Sequence, residues 1–199
     1  MITLDIEQGT EEWSKARLGI PTASCFDKLV TTKGEPSKQA QKYMWQLAAE
    51  KITGVSEDGF RSGWTQRGND VEAEARDFYE LLNNCEVQRV GVCYQDEGKK
   101  FSCSPDGLIG EDGGLEIKCP SAAVHIGYLL DGKLPTEYFT QVQGNLFITG
   151  REWWDFVSYS PGIKPLIVRV SPDKEFISKL ATSLDNFCNE LEQITERLR

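Results

Sequence analysis

Two carboxylates and a lysine stand close together in the segment Ser104-Pro105-Asp106-Gly107 and, after a turn-rich gap, Gly114-Leu115-Glu116-Ile117-Lys118-Cys119-Pro120. Asp106 follows a proline turn. Glu116 and Lys118 lie two residues apart in a run that reads as a strand. Residues at i and i+2 of a strand project to the same face. Glu116 and Lys118 therefore project together, with Asp106 brought alongside by the turn, while Leu115 and Ile117 take the opposite face. Two acids and a lysine on one surface make a hard-cation site with a charged helper, the chemistry of metal-assisted phosphodiester cleavage. The competing reading is a salt bridge across a sheet, with Asp106-Gly107 as an ordinary turn pair.

The elements that must position these groups fall into three stretches. The spacing predicts a short helix over 10–19, with Thr10 as N-cap and Glu11 and Glu12 in its first turn. A second short helix follows over 22–30, a loop over 31–37, a helix over 38–53, a loop over 54–63 and a long helix over 64–82. The period then changes to two. Residues 86–94, a strand beginning at 101–103, and 114–119 are joined by turn signals into a meander. A buried helix over 136–149 and strands over 153–160 and 165–170 follow. A closing amphipathic helix over 173–199 places Phe176, Leu180, Leu184, Phe187, Leu191, Ile194 and Leu198 on one face.

The expected architecture is α/β of the α+β kind, a mixed central sheet flanked by helices. The 199 residues suit one domain. It divides into a mainly helical part over 1–84, a catalytic sheet core over 85–170 and a C-terminal helix over 171–199.

Bulk properties narrow the class. No run approaches the roughly 20 apolar residues of a membrane span, and residues 1–5 lack the pattern of a signal peptide. The expected location is the cytoplasm. Six cysteines form no C-x-x-C pair and one histidine, His125, is present, so the cysteines read as reduced, mostly buried thiols rather than zinc ligands. His125 reads as a surface or loop residue. The net charge is -9, which taken alone argues against a general DNA coat. Residues 13–51 nevertheless carry seven Lys and Arg against three Asp and Glu. That local excess is either a solvated helix surface or a phosphate-facing patch. The tryptophans Trp13, Trp45, Trp64, Trp153 and Trp154 read as core or interface residues, with a DNA role open for Trp13.

Ser104-Pro105-Asp106-Gly107 with Leu115-Glu116-Ile117-Lys118-Cys119-Pro120 resembles the PD-(D/E)xK nuclease core. The fuller pattern is similar to its lambda-exonuclease branch, the YqaJ-type viral recombinases. Three further segments carry the resemblance. Gly9-Thr10-Glu11-Glu12-Trp13-Ser14-Lys15-Ala16-Arg17-Leu18-Gly19 with Thr22-Ala23-Ser24 is similar to the N-terminal signature. Gly68-Asn69-Asp70-Val71-Glu72-Ala73-Glu74-Ala75-Arg76 is similar to the first acidic helix, and Gln141-Val142-Gln143 to the helix after the core. Order and spacing are kept from about residue 8 to residue 160.

The resemblance implies a restriction-endonuclease-like fold and a role for each matching residue. Asp106, Glu116 and the backbone carbonyl of Ile117 would hold divalent cations, two Mg²⁺ (magnesium) ions, with Mn²⁺ as a substitute. Lys118 would orient the attacking water and stabilise charge on the phosphorane. Glu72 would supply a further acid, directly or through water, with Glu74 and Asp70 as rivals on the same helix. Gln141 would position substrate or water beside Lys118. Arg17, Ser24 and Ser104 would grip the 5′-phosphate of a DNA end. On its own residues, Arg17 is also open to a surface ion pair with Glu11 or Glu12, and Ser24 to a helix cap.

The implied activity is digestion of the 5′-terminated strand of linear double-stranded DNA, releasing mononucleotides and leaving a 3′ overhang. The implied partners are DNA ends, two further copies in a homotrimer ring, and a single-strand annealing protein; no membrane is involved. Two alternatives stand beside it. One is a structure-specific or restriction-type endonuclease on the same core. The other is a non-catalytic acidic DNA mimic or scaffold.

Overall fold

The computed structural model describes residues 1–56 and 66–199, with side chains from residue 71 onward in the second of these stretches. The chain opens with β1 (Ile2–Leu4) and α1 (Glu11–Ala16), a 3-10 segment (Ala23–Lys28), α2 (Ala40–Thr53) and α3 (Gln66–Asn83). Five short strands follow: β2 (Val87–Gln88), β3 (Val92–Tyr94), β4 (Ser102–Cys103), β5 (Gly107–Ile109) and β6 (Gly113–Lys118). The chain ends with α4 (Ala122–Asp131), α5 (Thr136–Thr149), β7 (Trp153–Ser158), β8 (Leu166–Val170) and α6 (Lys174–Leu198). The expected start of the long helix at Trp64, and the loop expected beyond Ser56, lie outside the described residues.

The strands form two sheets, β1-β3-β4 and β2-β5-β6-β7-β8. In the larger one β6 and β7 are parallel and every other pairing is antiparallel. Parallel neighbours need a crossover rather than a hairpin, and α4 and α5 supply it. Gly113 and Gly114 make the close β6–β7 approach possible. A Cβ on them would fall 2.1 Å from the Trp153 ring and 2.2 Å from that of Trp154.

The sheet is covered on both faces. On one, Leu115, Ile117 and Val157 pack with Ala75 and Tyr79 of α3. On the other, Trp154 and Phe156 join Val142 and Leu146 of α5 and the apolar face of α6 in the larger core. Leu115 and Ile117 thus turn toward α3, and Glu116 turns toward α5, as the two-residue alternation requires. Asp173 caps α6 by accepting the Phe176 N–H at 3.0 Å. The buried stripe of α6 follows the expected positions to Leu191, but its last turn buries Thr195 and leaves Leu198 exposed.

Three expectations are corrected. Residues 86–94 are not one strand: the chain breaks after Gln88, and β2 and β3 belong to different sheets. Gly91 presses against the N-terminal segment, where a Cβ would meet the Ile6 carbonyl at 2.3 Å, and its N–H bonds to Leu4. That contact recruits β1, which periodicity did not reveal. The meander is correspondingly divided, with β4 beside β3 and β6 in the larger sheet. Finally, His125 is not on a loop or the surface. It lies on α4, fully buried, its ring nitrogens 2.7 Å from Ser158 Oγ and 2.9 Å from the Lys164 carbonyl. A carbonyl only accepts, so Nε2 carries a proton and donates it to Lys164.

Candidate active site

The turn before β5 and the C-terminal half of β6 bring Asp106, Glu116 and Lys118 together. Asp106 Oδ2 accepts the Ile117 N–H at 2.6 Å. Within a strand the N–H and C=O of one residue leave by the same edge. The Ile117 carbonyl therefore shares the edge occupied by Asp106, whereas the Lys118 carbonyl faces β7 and takes the Tyr159 N–H.

Glu116 is 2 % exposed and heavily bonded. Its Oε1 accepts from Lys118 Nζ and from Gln141 Nε2, each at 2.6 Å. Its Oε2 accepts from Asn145 Nδ2 at 3.0 Å. Gln141 and Asn145 lie one turn apart on α5, the spacing that puts two side chains on one helical face.

The electrostatics follow from this crowding. Burial is the main cause that pushes the Asp106 carboxyl well above the usual carboxylate range. The neighbouring charges of Glu116 and Glu72 add to it, and Lys118 opposes them. Burial works against the charge on Lys118, but Glu116 and Asp106 outweigh it and hold the ammonium above its ordinary value. A site with more negative than positive charge, lined by oxygen donors, has the chemistry of a hard divalent cation. Among the described residues no three Asp, Glu, His or Cys side chains stand close enough to hold one ion together. The oxygen set on hand is two carboxylates and the Ile117 carbonyl. That suffices for Mg²⁺, which keeps several of its waters.

Glu72 comes from α3. It lines a cleft of about 610 Å³ with Asp106, Arg76, Arg89 and Gln8. Its Oε1 accepts from Arg76 at 2.6 Å, and Arg76 Nε reaches the Asp106 carbonyl at 3.3 Å. Its rival Glu74 is occupied by the Tyr159 hydroxyl at 2.6 Å, on a different surface. The Asp70 side chain lies outside the described residues.

A second cluster surrounds Arg17. Its guanidinium stacks on the Trp13 ring, 3.9 Å from the centroid, and Nη2 makes a long contact with Ser24 Oγ at 3.5 Å. Trp13 Nε1 donates to Ser104 Oγ at 3.0 Å, so Arg17, Ser24 and Ser104 do come together around one indole. Arg17 is not paired with Glu11, which binds Lys15. Among the described residues no ion pair involves Arg17, and its Nε is buried without a partner. Burial lowers its pKa, and no carboxylate is among the groups that offset this. A half-buried guanidinium with spare donors and no counter-charge is suited to an anion. Ser24 is not the N-cap of its segment; Thr22 holds that position, and Ser24 contacts the Thr22 hydroxyl at 3.2 Å.

The two clusters are joined through the backbone. Gln8 Nε2 donates to the Val90 and Pro105 carbonyls, each at 2.9 Å, and Trp13 holds Ser104. The turn that carries Ser104 and Asp106 is therefore held from both sides by the N-terminal segment. Sequence reading passed over Gln8, Arg76 and Asn145. Arg76 and Asn145 each stand four residues after a named candidate, Glu72 and Gln141, and that spacing was the available signal.

The other functional expectations have plain placements. All six cysteines are free thiols; Cys93, Cys103 and Cys188 are buried, Cys25 and Cys85 half-buried, and Cys119 exposed. Of the basic residues in 13–51, Lys15 and Lys51 are used in ion pairs with Glu11 and Glu192. No described helix is long and apolar enough to cross a membrane.

The family profile of the YqaJ-like viral recombinase domain matches residues 12–152. No curated protein matches the sequence. Among solved structures, the chain resembles an alkaline exonuclease, LHK-Exo, from Laribacter hongkongensis. It is 36% identical over 95% of this chain and 96% of that one, with a TM-score of 0.84. The same enzyme in complex with dAMP matches at 35% identity and a TM-score of 0.83, with the same coverage. A phage related exonuclease from Haemophilus somnus 129PT shares the fold at 13% identity, over 100% of this chain and 98% of that one, with a TM-score of 0.65. With the profile spanning both clusters and a relative alike along nearly its whole length, the chain belongs to the YqaJ-like viral recombinase family and has the fold of the lambda-type exonucleases.

Proposed function

We propose that this protein is a magnesium-dependent exonuclease that digests the 5′-terminated strand of linear double-stranded DNA, releases mononucleotides and leaves a 3′ overhang. The observation that carries this reading is the turn 104–106. One of its residues, Ser104, belongs to the anion-suited cluster of Arg17, and the next but one, Asp106, to the carboxylate cluster of Glu116 and Lys118. A 5′-phosphate held at the first cluster sets the terminal nucleotide at a fixed distance from the second. The relatives support the reading: two are exonucleases by description, and one of them binds dAMP, a mononucleotide.

In this mechanism Asp106, Glu116 and the Ile117 carbonyl would hold Mg²⁺, as a pair of ions, with Mn²⁺ as a substitute. When bound, the metal would supply activation of water and neutralisation of the leaving 3′ oxygen. Lys118 would place an ammonium beside the phosphorane and stabilise its charge. Gln141 fixes Glu116 and would position the attacking water or substrate beside Lys118. Glu72 faces the cleft beside Asp106 and acts through water. Arg17, with Ser24 and Ser104, binds the 5′-phosphate and excludes internal cutting. The assembly we propose is a ring of three copies around DNA, working beside a single-strand annealing protein. A ring reconciles DNA binding with a net charge of -9, since basic residues of the N-terminal third line the channel and the acidic surplus faces outward.

The test is a comparison of substrates with Mg²⁺: linear duplex is digested and covalently closed circles are not. Cutting of closed circles would establish an endonuclease and overturn the reading.

A further inference from the structure

Glu116 receives three donors: Lys118 and Gln141 on Oε1 and Asn145 on Oε2. A carboxylate offers about four acceptor sites, two on each oxygen. Oε1 is full. The remaining site is on Oε2, beside the Asn145 amide.

Asn145 is an unexpected residue for its position. It lies in the buried middle of α5, 1 % exposed, where asparagine is a poor helix former and an unbonded amide is costly. The helix has no freedom to turn it away. Val142 and Leu146 are fully or almost fully buried on either side. Gly144 packs so closely on the 3-10 segment that a Cβ would fall 2.6 Å from Phe26. A fixed donor on Oε2 sets the rotation of the Glu116 carboxylate about its last bond.

We propose that Asn145 is a positioning residue which, with Gln141 one turn earlier, holds Glu116 so that Oε2 is the oxygen presented to the divalent cation. This rests on the metal-dependent reading given above. Asn145 does not touch substrate; it acts through Glu116. The alternative is a purely structural amide that satisfies a buried carboxylate. That role affects folding and leaves metal affinity alone.

The experiment titrates Mn²⁺ into the DNA-free protein and counts free ion by electron paramagnetic resonance. It compares the unaltered chain, Glu116→Gln, Asn145→Leu and Asn145→Ser, with thermal melts in chelator. Asn145→Leu keeps the number and branching of the heavy atoms and removes the donor. Asn145→Ser shortens the donor out of reach and serves where leucine is not tolerated. The expected result is Mn²⁺ binding weakened by about 10- to 100-fold in each folded Asn145 variant. The ion concentration for half-maximal digestion rises by the same factor, with KM for DNA ends unchanged. Binding within about twofold of the unaltered chain in a folded Asn145 variant, while Glu116→Gln abolishes it, overturns the role of Asn145 alone. Equal binding by the unaltered chain and Glu116→Gln overturns the metal reading itself, and this inference with it.

Discussion

The Arg17 guanidinium lies over the Trp13 ring, 3.9 Å from its centroid, and the N–H of that same indole is donated to Ser104 at 3.0 Å. One aromatic side chain therefore sets both a cation and a hydroxyl. Stacking of this kind contributes on the order of 0.5–2 kcal/mol, and it leaves the edge of the guanidinium free for an incoming anion.

From this, Arg17→Ala should lower kcat/KM on 5′-phosphorylated ends by about 10- to 100-fold, the value of one charge-assisted hydrogen bond. The loss on 5′-hydroxyl ends should be far smaller. Arg17→Lys should recover only part, since an ammonium lacks the planar fork that both stacks and binds phosphate. Equal losses on the two ends would remove the phosphate pocket from the account.

Trp13→Phe separates the two duties of the indole. The ring under Arg17 stays and the N–H to Ser104 goes. We expect a stability loss of about 0.5–1.5 kcal/mol in denaturant melts and a raised KM confined to phosphorylated ends. A raised KM on both kinds of end would show that Ser104 is held for folding alone.

Lys118 makes its closest contact with Glu116, at 2.6 Å. Lys118→Ala should lower kcat by about 10²- to 10³-fold, the range seen when one charge-stabilising donor is removed from a transition state. Binding of DNA ends, followed by fluorescence anisotropy, should be little changed. Undiminished single-turnover digestion would take Lys118 out of the reaction.

Asp106 gives a pH dependence with a definite sign. Its carboxyl is held well above the usual range in the folded chain, first by burial and then by Glu116. The unfolded chain releases that proton at the lower, ordinary pKa of about 3.9. The cost to folding is absent below that pH, grows as pH rises, and is complete once the folded value is passed. Asp106→Asn, which keeps an oxygen for the Ile117 N–H, should therefore raise the Tm of the metal-free protein at pH 8. The gain should shrink toward pH 4. A lower Tm at pH 8 would contradict the electrostatic picture.

The reading of Glu116 and Lys118 came directly from sequence because a strand has a period of two and its neighbours Leu115 and Ile117 had an obvious apolar destination. The cap at Thr10 and the buried stripe of α6 were legible for similar reasons; each rests on contacts between residues near in sequence. What was not legible depends on distant contacts. The break between β2 and β3 is set by Gly91 against Ile6, and Gln8 reaches Val90 and Pro105. The buried His125 follows the same rule, since its partners, Ser158 and Lys164, come from the end of β7 and the loop beyond it. Asn145 follows the same rule, since the carboxylate that it bonds, Glu116, lies on β6, far away in sequence.

The central claim is directional digestion from a DNA end, and one time course tests it most directly. Linear duplex carrying a 5′-phosphate is labelled at either the 5′ or the 3′ terminus of one strand and incubated with Mg²⁺ or with chelator. The account predicts that the 5′ label is released at once as a mononucleotide. The 3′ label stays on progressively shortened strands, and chelator stops both. Early release of the 3′ label, or unchanged digestion in chelator, would contradict it.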